Sequence, residues 1–206
     1  MLGVVLCGGQ SRRMQFDKGL LTVENEAQFI KSARLLSKVV PEVVISVRPE
    51  QTLLYKNAFD VPGVENNNFP LIADSESITI GGPLKGILSV HEKNPKKDLL
   101  VLAVDYLSMQ TDPLVKLLKL HAEKQNKGDT NYDALCWTIN GHFEPLCTIY
   151  MAPFLSNMYS KITLENETLD SPRRWLEKSR ILVEEVPPEF ITMFKNYNFP
   201  QDLKNG

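Results

Sequence analysis

Leu2-Gly3-Val4-Val5-Leu6-Cys7-Gly8-Gly9-Gln10-Ser11-Arg12-Arg13-Met14-Gln15-Phe16-Asp17-Lys18 opens the chain, and its reading organises the rest. Leu2 to Leu6 is a short apolar run rich in β-branched residues, the pattern of a buried strand. Two glycines follow at once, so the backbone can turn tightly and aim its N–H groups at a ligand with no Cβ in the way. Arg12, Arg13 and Lys18 then bring three cations into the same loop. Amide donors, planar guanidinium forks and an ammonium point charge together suit a polyphosphate. Neither G-x-x-x-x-G-K-[ST] nor G-x-G-x-x-G is present, so two common phosphate loops are excluded. Taken alone, a Gly-Gly pair beside basic residues is equally a β-turn facing solvent.

The 206 residues suffice for one sizeable core, and 43% hydrophobic content is ordinary for a globular chain. With a net charge of −2 there is no basic field to hold nucleic acid, so the cations of the opening loop favour a small anionic ligand. Cys7, Cys136 and Cys147 are too scattered for a zinc site or a disulfide framework. No signal peptide and no membrane-length apolar run is seen, and a reducing cytoplasm is the expected location.

Gly19 to Val23 reads as a short strand or extended segment, and Asn25-Glu26 as a turn. Gln28 to Ser37 carries Phe29, Ala33, Leu35 and Leu36 at helical spacing, and Pro41 stops that helix. Glu42 to Val47 is a second buried strand, which completes a βαβ unit. A short helix over 48–55, loop at 66–70 and a brief strand Leu71 to Asp74 follow. Gly81-Gly82-Pro83 is a loop with Pro83 suited to a first helical turn, either a plain cap or a place to meet an anion. Helix is expected over 113–125, strands over 133–138 and 143–150 around an Asn140-Gly141 turn, and helix over 153–159. Ser171-Pro172 reads as an N-cap and N1, with Arg173 and Arg174 in the first turn, and Ile181 to Val186 is a late strand. No repeat or linker interrupts the chain, so a single domain over 1–206 is expected, α/β in class, with a mostly parallel mixed sheet.

Asp98 to Asp105 is the strongest strand, apolar on both faces as a central parallel strand should be, and it ends on a carboxylate. Ligands of open α/β sheets bind beyond the carboxyl ends of the strands, which puts Asp105 on the glycine loop's edge. A carboxylate facing polyphosphate needs an intervening cation, and Mg²⁺ is the usual one. The plainer reading is a solvated strand-end aspartate.

The string Leu6 to Lys18 resembles L-x-G-G-x-S-x-R-M-G-x-D-K, the signature of MobA-like nucleotidyltransferases of the molybdenum cofactor guanylyltransferase type. The resemblance continues through Ile72-Ala73-Asp74-Ser75, Gly82-Pro83-Leu84-Lys85-Gly86-Ile87, Val104-Asp105, Glu144-Pro145-Leu146 and Asn196 to Leu203, nearly the full chain. It implies a Rossmann-like three-layer α/β domain that transfers GMP from GTP to molybdopterin cofactor, giving the guanine dinucleotide form and diphosphate. It further implies that Leu6, Cys7 and Gly8 line the nucleotide, that Gly9, Arg13 and Lys18 meet its phosphates, and that Asp74 helps recognise guanine or ribose. Asp105 would hold Mg²⁺, and Arg173, Arg174, Asn196 and Asn198 would face the pterin. Partners implied are GTP, molybdopterin and the proteins of molybdenum cofactor biosynthesis or molybdoenzyme maturation, with no nucleic acid and no membrane.

The acceptor's terminal phosphate is already ionised, so the reaction needs positioning and charge neutralisation rather than a general base. Arg13, Lys18 and Asp105 are the expected catalytic set. Four positions depart from the family pattern: Gln15 stands for a glycine, Tyr106-Leu107 for a Pro-containing turn, Glu144 for a histidine and Phe199 for a threonine. These departures keep three alternatives open: CTP in place of GTP, a sugar or polyol phosphate acceptor, and a catalytically degenerate nucleotide-binding member.

Overall fold

The computed structural model describes residues 1–7, 17–23, 26–59 and 69–195. In chain order these form β1 (Leu2–Leu6), β2 (Thr22–Val23), β3 (Glu26–Ala27), α1 (Gln28–Ser37), β4 (Val43–Val47), α2 (Thr52–Phe59), β5 (Leu71–Ala73), α3 (Gly82–Lys93), β6 (Leu99–Ala103), α4 (Thr111–Asn126), β7 (Ala134–Ile139), β8 (His142–Tyr150), α5 (Ala152–Leu164), α6 (Pro172–Leu176) and β9 (Ile181–Glu185). Three short 3-10 turns lie at Lys18–Leu20, Pro49–Gln51 and Pro188–Phe194.

β1, β4 and β6 are buried along their whole length, as their unbroken apolar runs require. Among the described residues, seven strands make one sheet in the order β5-β4-β1-β6-β8-β7-β9. β1 pairs parallel to both β4 and β6, and β4 to β5. Within this sheet only β8 runs against its neighbours. The two-residue Asn140-Gly141 turn, both residues at positive φ, forces that reversal. β9 pairs parallel to β7 and restores the common direction.

α1 buries Phe29, Ile30, Ala33 and Leu36, one stripe at helical spacing. Full burial of each large side chain stabilises by about 1.5–3 kcal/mol. Along β1, Gly3 lies against Leu36 and Val40 beside α1, whereas Leu6 lies against Gly86 of α3. Successive strand residues face opposite ways, so the two helices cover opposite faces of the sheet. Chain order runs outward from β1 through β4 to β5, then returns to place β6 on β1's other side. The reversal lies between β1 and β6, where open sheets leave a crevice at their carboxyl edge.

Four local expectations change. Residues 18–20 form a 3-10 turn rather than extended chain, because the Asp17 carboxylate accepts from Gly19 N and caps it. Only Thr22–Val23 is strand, and it pairs with Glu26–Ala27, so Glu26 is strand rather than turn. α5 runs on to Leu164, drawn by burial of Ile162. Pro188–Phe194 forms a 3-10 segment that sequence periodicity did not reveal, held by burial of Phe194. The expected turn residue Asn25 and the loop at 66–68 lie outside the described residues.

Candidate active site

The strand tips of the central sheet meet on one edge. Cys7 N donates to Ser46 O (3.0 Å), Asp74 N to Val47 O (2.9 Å) and Val104 N to Leu6 O (3.2 Å), which carries the ladders past the last regular pairs. Leu6, Cys7, Ser46, Asp74 and Asp105 thereby line an open cleft, bounded opposite by Gly82, Pro83 and Gly86 of α3 and by Leu146 of β8.

Lys18 reaches into this cleft. Its Nζ lies 3.0 Å from Asp105 Oδ1, with the lysine side chain 12% and the aspartate 31% exposed. The expected phosphate-binding cation and the expected metal-holding acid are thus in contact across the tip of β1. Asp17 Oδ1 accepts from Gly19 N (3.0 Å) and Tyr55 OH (2.7 Å), and Oδ2 accepts from Gln51 Nε2 (2.5 Å).

Asp74 and Ser46 form the other wall. Asp74 Oδ1 and Ser46 Oγ are buried without a hydrogen-bond partner among the described residues. A Cβ at Gly86 would stand 2.6 Å from Ser46 Oγ and 3.6 Å from Asp74 Oδ1, so only glycine leaves this wall open. Ser75 N donates to Ser89 Oγ (2.8 Å), which ties the residue after Asp74 to α3. Burial lifts the Asp74 carboxyl to about 6; Glu50 adds to the rise, and Lys85 and Arg48 oppose it. Buried polar atoms are rarely left unpaired, and a pair of them facing a cleft offers a ligand its hydrogen bonds. Cys7 takes no part as a nucleophile, because burial pushes its thiol well above the ordinary range.

The donor set fits a hard divalent cation at Asp105. Among the described residues no group of three or more His, Cys, Asp or Glu could hold a metal. A single partly exposed carboxylate lining the cleft instead suits Mg²⁺, which is commonly held by one or two carboxylates plus substrate phosphates.

Two of the departures from the family pattern touch each other. Tyr106 OH donates to Glu144 Oε2 at 2.9 Å. The Tyr106 ring packs edge-on against Phe194 (5.7 Å), which also meets Trp137 (6.1 Å). Burial raises the Glu144 carboxyl, with the Tyr106 hydrogen bond and the Arg173 charge offsetting part of the rise. Arg173 Nη2 donates to Phe143 O (3.2 Å), which puts it on this same edge beside Glu144. Arg174 is exposed and makes no hydrogen bond or ion pair among the described residues. Ser171 sits at the N-cap of α6 without a side-chain cap bond. Gly8, Gly9, Arg13 and Gln15, with Asn196, Asn198 and Phe199, lie outside the described residues.

Sequence reasoning assigned no role to Ser46, Asp17, Gln51 or Tyr55. Ser46 had a signal, as the one polar residue in an otherwise apolar strand. Gln51 and Tyr55 had none, because only the packing of the 3-10 turn Pro49–Gln51 and of α2 beside residues 17–19 brings them in.

Residues 3–181 match the MobA-like NTP transferase domain. The chain is 28% identical over 203 residues to the molybdenum cofactor biosynthesis bifunctional protein of Synechocystis, covering 98% of this chain and 52% of that one. It therefore spans about half the length of that relative. It is 24% identical over 206 residues to the molybdenum cofactor guanylyltransferase of Campylobacter jejuni, covering 98% of this chain and 92% of that protein. The fold is shared with the crystal structure of molybdopterin-guanine dinucleotide biosynthesis protein A from Archaeoglobus fulgidus (TM-score 0.73, 21% identity, 100% of this chain and 96% of the other).

Proposed function

Because this chain belongs to the MobA-like NTP transferase family and is a nucleotidyltransferase, we propose that it transfers GMP from GTP to molybdopterin cofactor, forming the guanine dinucleotide and releasing diphosphate. The observation that carries this reading is the cleft in which the Lys18–Asp105 pair faces the unpartnered Asp74 and Ser46 atoms. One end offers charge for phosphates, the other hydrogen bonds for a base or sugar.

The Asp74 carboxylate supports guanine. Guanine presents an amino donor on its edge beside a ring N–H, so a bare carboxylate oxygen can accept from both; cytosine presents one amino donor beside an acceptor nitrogen. Ser46 Oγ can donate to or accept from the same base or the ribose. In the reaction an oxygen of the acceptor's terminal phosphate attacks the α-phosphorus of GTP. The bond from Pα to the bridging oxygen breaks, and diphosphate leaves with the electron pair. Lys18 offsets charge on the phosphates as the leaving group forms. Asp105 would hold Mg²⁺, which when bound supplies further neutralisation of that charge. The backbone at Leu6 and Cys7 lines the nucleotide, and Arg13 supports the phosphates. Arg173, beside Glu144, and the asparagines Asn196 and Asn198 belong to the acceptor end of this proposal. Three buried free thiols are consistent with a reducing cytoplasm, and no helix among the described residues is long and apolar enough to cross a membrane.

Diphosphate release tests the reading. The chain with GTP, Mg²⁺ and molybdopterin is expected to release diphosphate and form the guanine dinucleotide, and CTP is expected to be a poor replacement. No release with any nucleoside triphosphate would overturn the proposal; efficient use of CTP would overturn the role of Asp74.

A further inference from the structure

Asp17 and Lys18 are neighbours with opposite destinations. Asp17 is extended (φ −75°, ψ 118°), so the two side chains leave the backbone on different sides. Lys18 crosses to Asp105. Asp17 turns the other way, where three neutral donors saturate its carboxylate: Gly19 N of its own 3-10 turn, Gln51 Nε2 of the 3-10 turn Pro49–Gln51 and Tyr55 OH of α2. Gln51 is itself fixed, because its Oε1 accepts from Arg48 N (2.8 Å) and its Nε2 also approaches Cys7 O at 3.5 Å. One amide thus touches both Cys7 at the tip of β1 and Asp17 beside the lysine. Tyr55 is fully buried, and burial holds its phenol far above the usual range, so it remains a donor. Gly19 completes the fit. A Cβ there would stand 2.0 Å from Tyr55 Oη, so any side chain would drive the tyrosine off Asp17.

We infer that Asp17 is a positioning residue: locked by Gln51 and Tyr55, it sets where Lys18 meets the phosphates and Asp105. The inference rests on the functional reading above only in taking Lys18 as the phosphate-binding cation. A residue held by three hydrogen bonds cannot slide along the chain, and its neighbour's origin is fixed with it. The 3-10 turn Pro49–Gln51 and α2 contribute no residue to the cleft, yet through this lock they control the one basic side chain that lines it among the described residues.

Exchanging donor and acceptor tests the lock. Asp17→Asn places an amide against the Gln51 amide, and Gln51→Glu places a carboxylate against the Asp17 carboxylate. The double variant restores the bond in reverse. The new amide at position 17 donates its N–H to the new carboxylate at position 51, and its oxygen still accepts from Gly19 and Tyr55. The carboxylate at position 51 still accepts from Arg48 N. Each single variant is expected to weaken binding of Mg²⁺–GTP by about tenfold or more, as for hydrogen bonds to charged groups, and the double to recover most of it. In a Lys18→Gln background, Asp17→Asn is expected to cause no further loss, an outcome a merely structural role would not produce. Equal binding by single and double variants, or a full loss persisting without Lys18, overturns the inference. Crystal structures of wild type and Asp17→Asn decide it even if no nucleotide binds, which would refute the functional reading separately. Lys18 Nζ displaced beyond 4 Å from Asp105 in the variant supports the lock; retention of the 3.0 Å contact overturns it. Tyr55→Phe, which removes one hydroxyl from the lock, serves as the second variant should Asp17→Asn fail to fold, with the same expected displacement.

Discussion

Replacing Asp74 by asparagine should make the protein more stable at neutral pH while weakening its hold on nucleotide. In the folded chain burial raises this carboxyl from 3.8 to about 6. The folded state therefore binds the proton more tightly than the unfolded state, and stability falls as pH rises through the window between those two values. Full conversion of that shift amounts to about 3 kcal/mol. Solvent reaches the rim of the carboxylate, so screening reduces the penalty at pH 7–8 to about 1.5 kcal/mol. The asparagine side chain never ionises, so the penalty is relieved, and for a chain of this size the gain corresponds to about 3–6 °C in Tm. Urea unfolding of wild type and Asp74→Asn at half-unit steps from pH 4 to 8 measures the effect. The variant is expected to gain stability progressively above pH 4.5 and to match wild type near pH 4. A gain independent of pH, or no gain at pH 8, would refute the burial argument. Calorimetry on the same samples should show GTP affinity reduced about tenfold or more, the usual scale for a hydrogen bond to a charged group. Such trade-offs are expected where a site keeps an unsatisfied polar group ready for a ligand.

Asp105→Ala should abolish Mg²⁺-dependent diphosphate release with little change in circular dichroism, since the side chain lies in the cleft rather than the core; near wild-type turnover would remove Asp105 from the metal role. Gly86→Val should reduce nucleotide affinity severely, because even its Cβ would stand 2.6 Å from Ser46 Oγ; a thermal-shift titration with GTP reads this, and a Ser46→Ala partner variant should relieve part of the clash. Phe194→Ala removes a buried ring from the Tyr106–Trp137 cluster, and should cost about 3–5 kcal/mol in urea unfolding, the usual range for a truncated core aromatic.

The strands and helices that position the site were legible because their signals are local. Leu2–Leu6 and Leu99–Ala103 are runs too apolar to be anything but buried, and α1 begins and ends where its apolar stripe and Pro41 place it. The Asn140-Gly141 pair foretold the reversed β8, since the turn it builds admits no other direction. Carboxylates at strand ends then had to share one edge once the strands were parallel, and Lys18, Asp74 and Asp105 do line one cleft.

What the sequence by itself determined was therefore periodicity, punctuation and the inventory of charged groups, because these depend on residues close together in the chain. Only the tertiary structure decided which side chains would meet: Lys18 with Asp105, Tyr106 with Glu144, and Asp17 with Gln51 and Tyr55, separated by 34 to 87 positions. Such pairings depend on how helices seat on the sheet, and seating is settled by the packing of the whole core rather than by any segment alone.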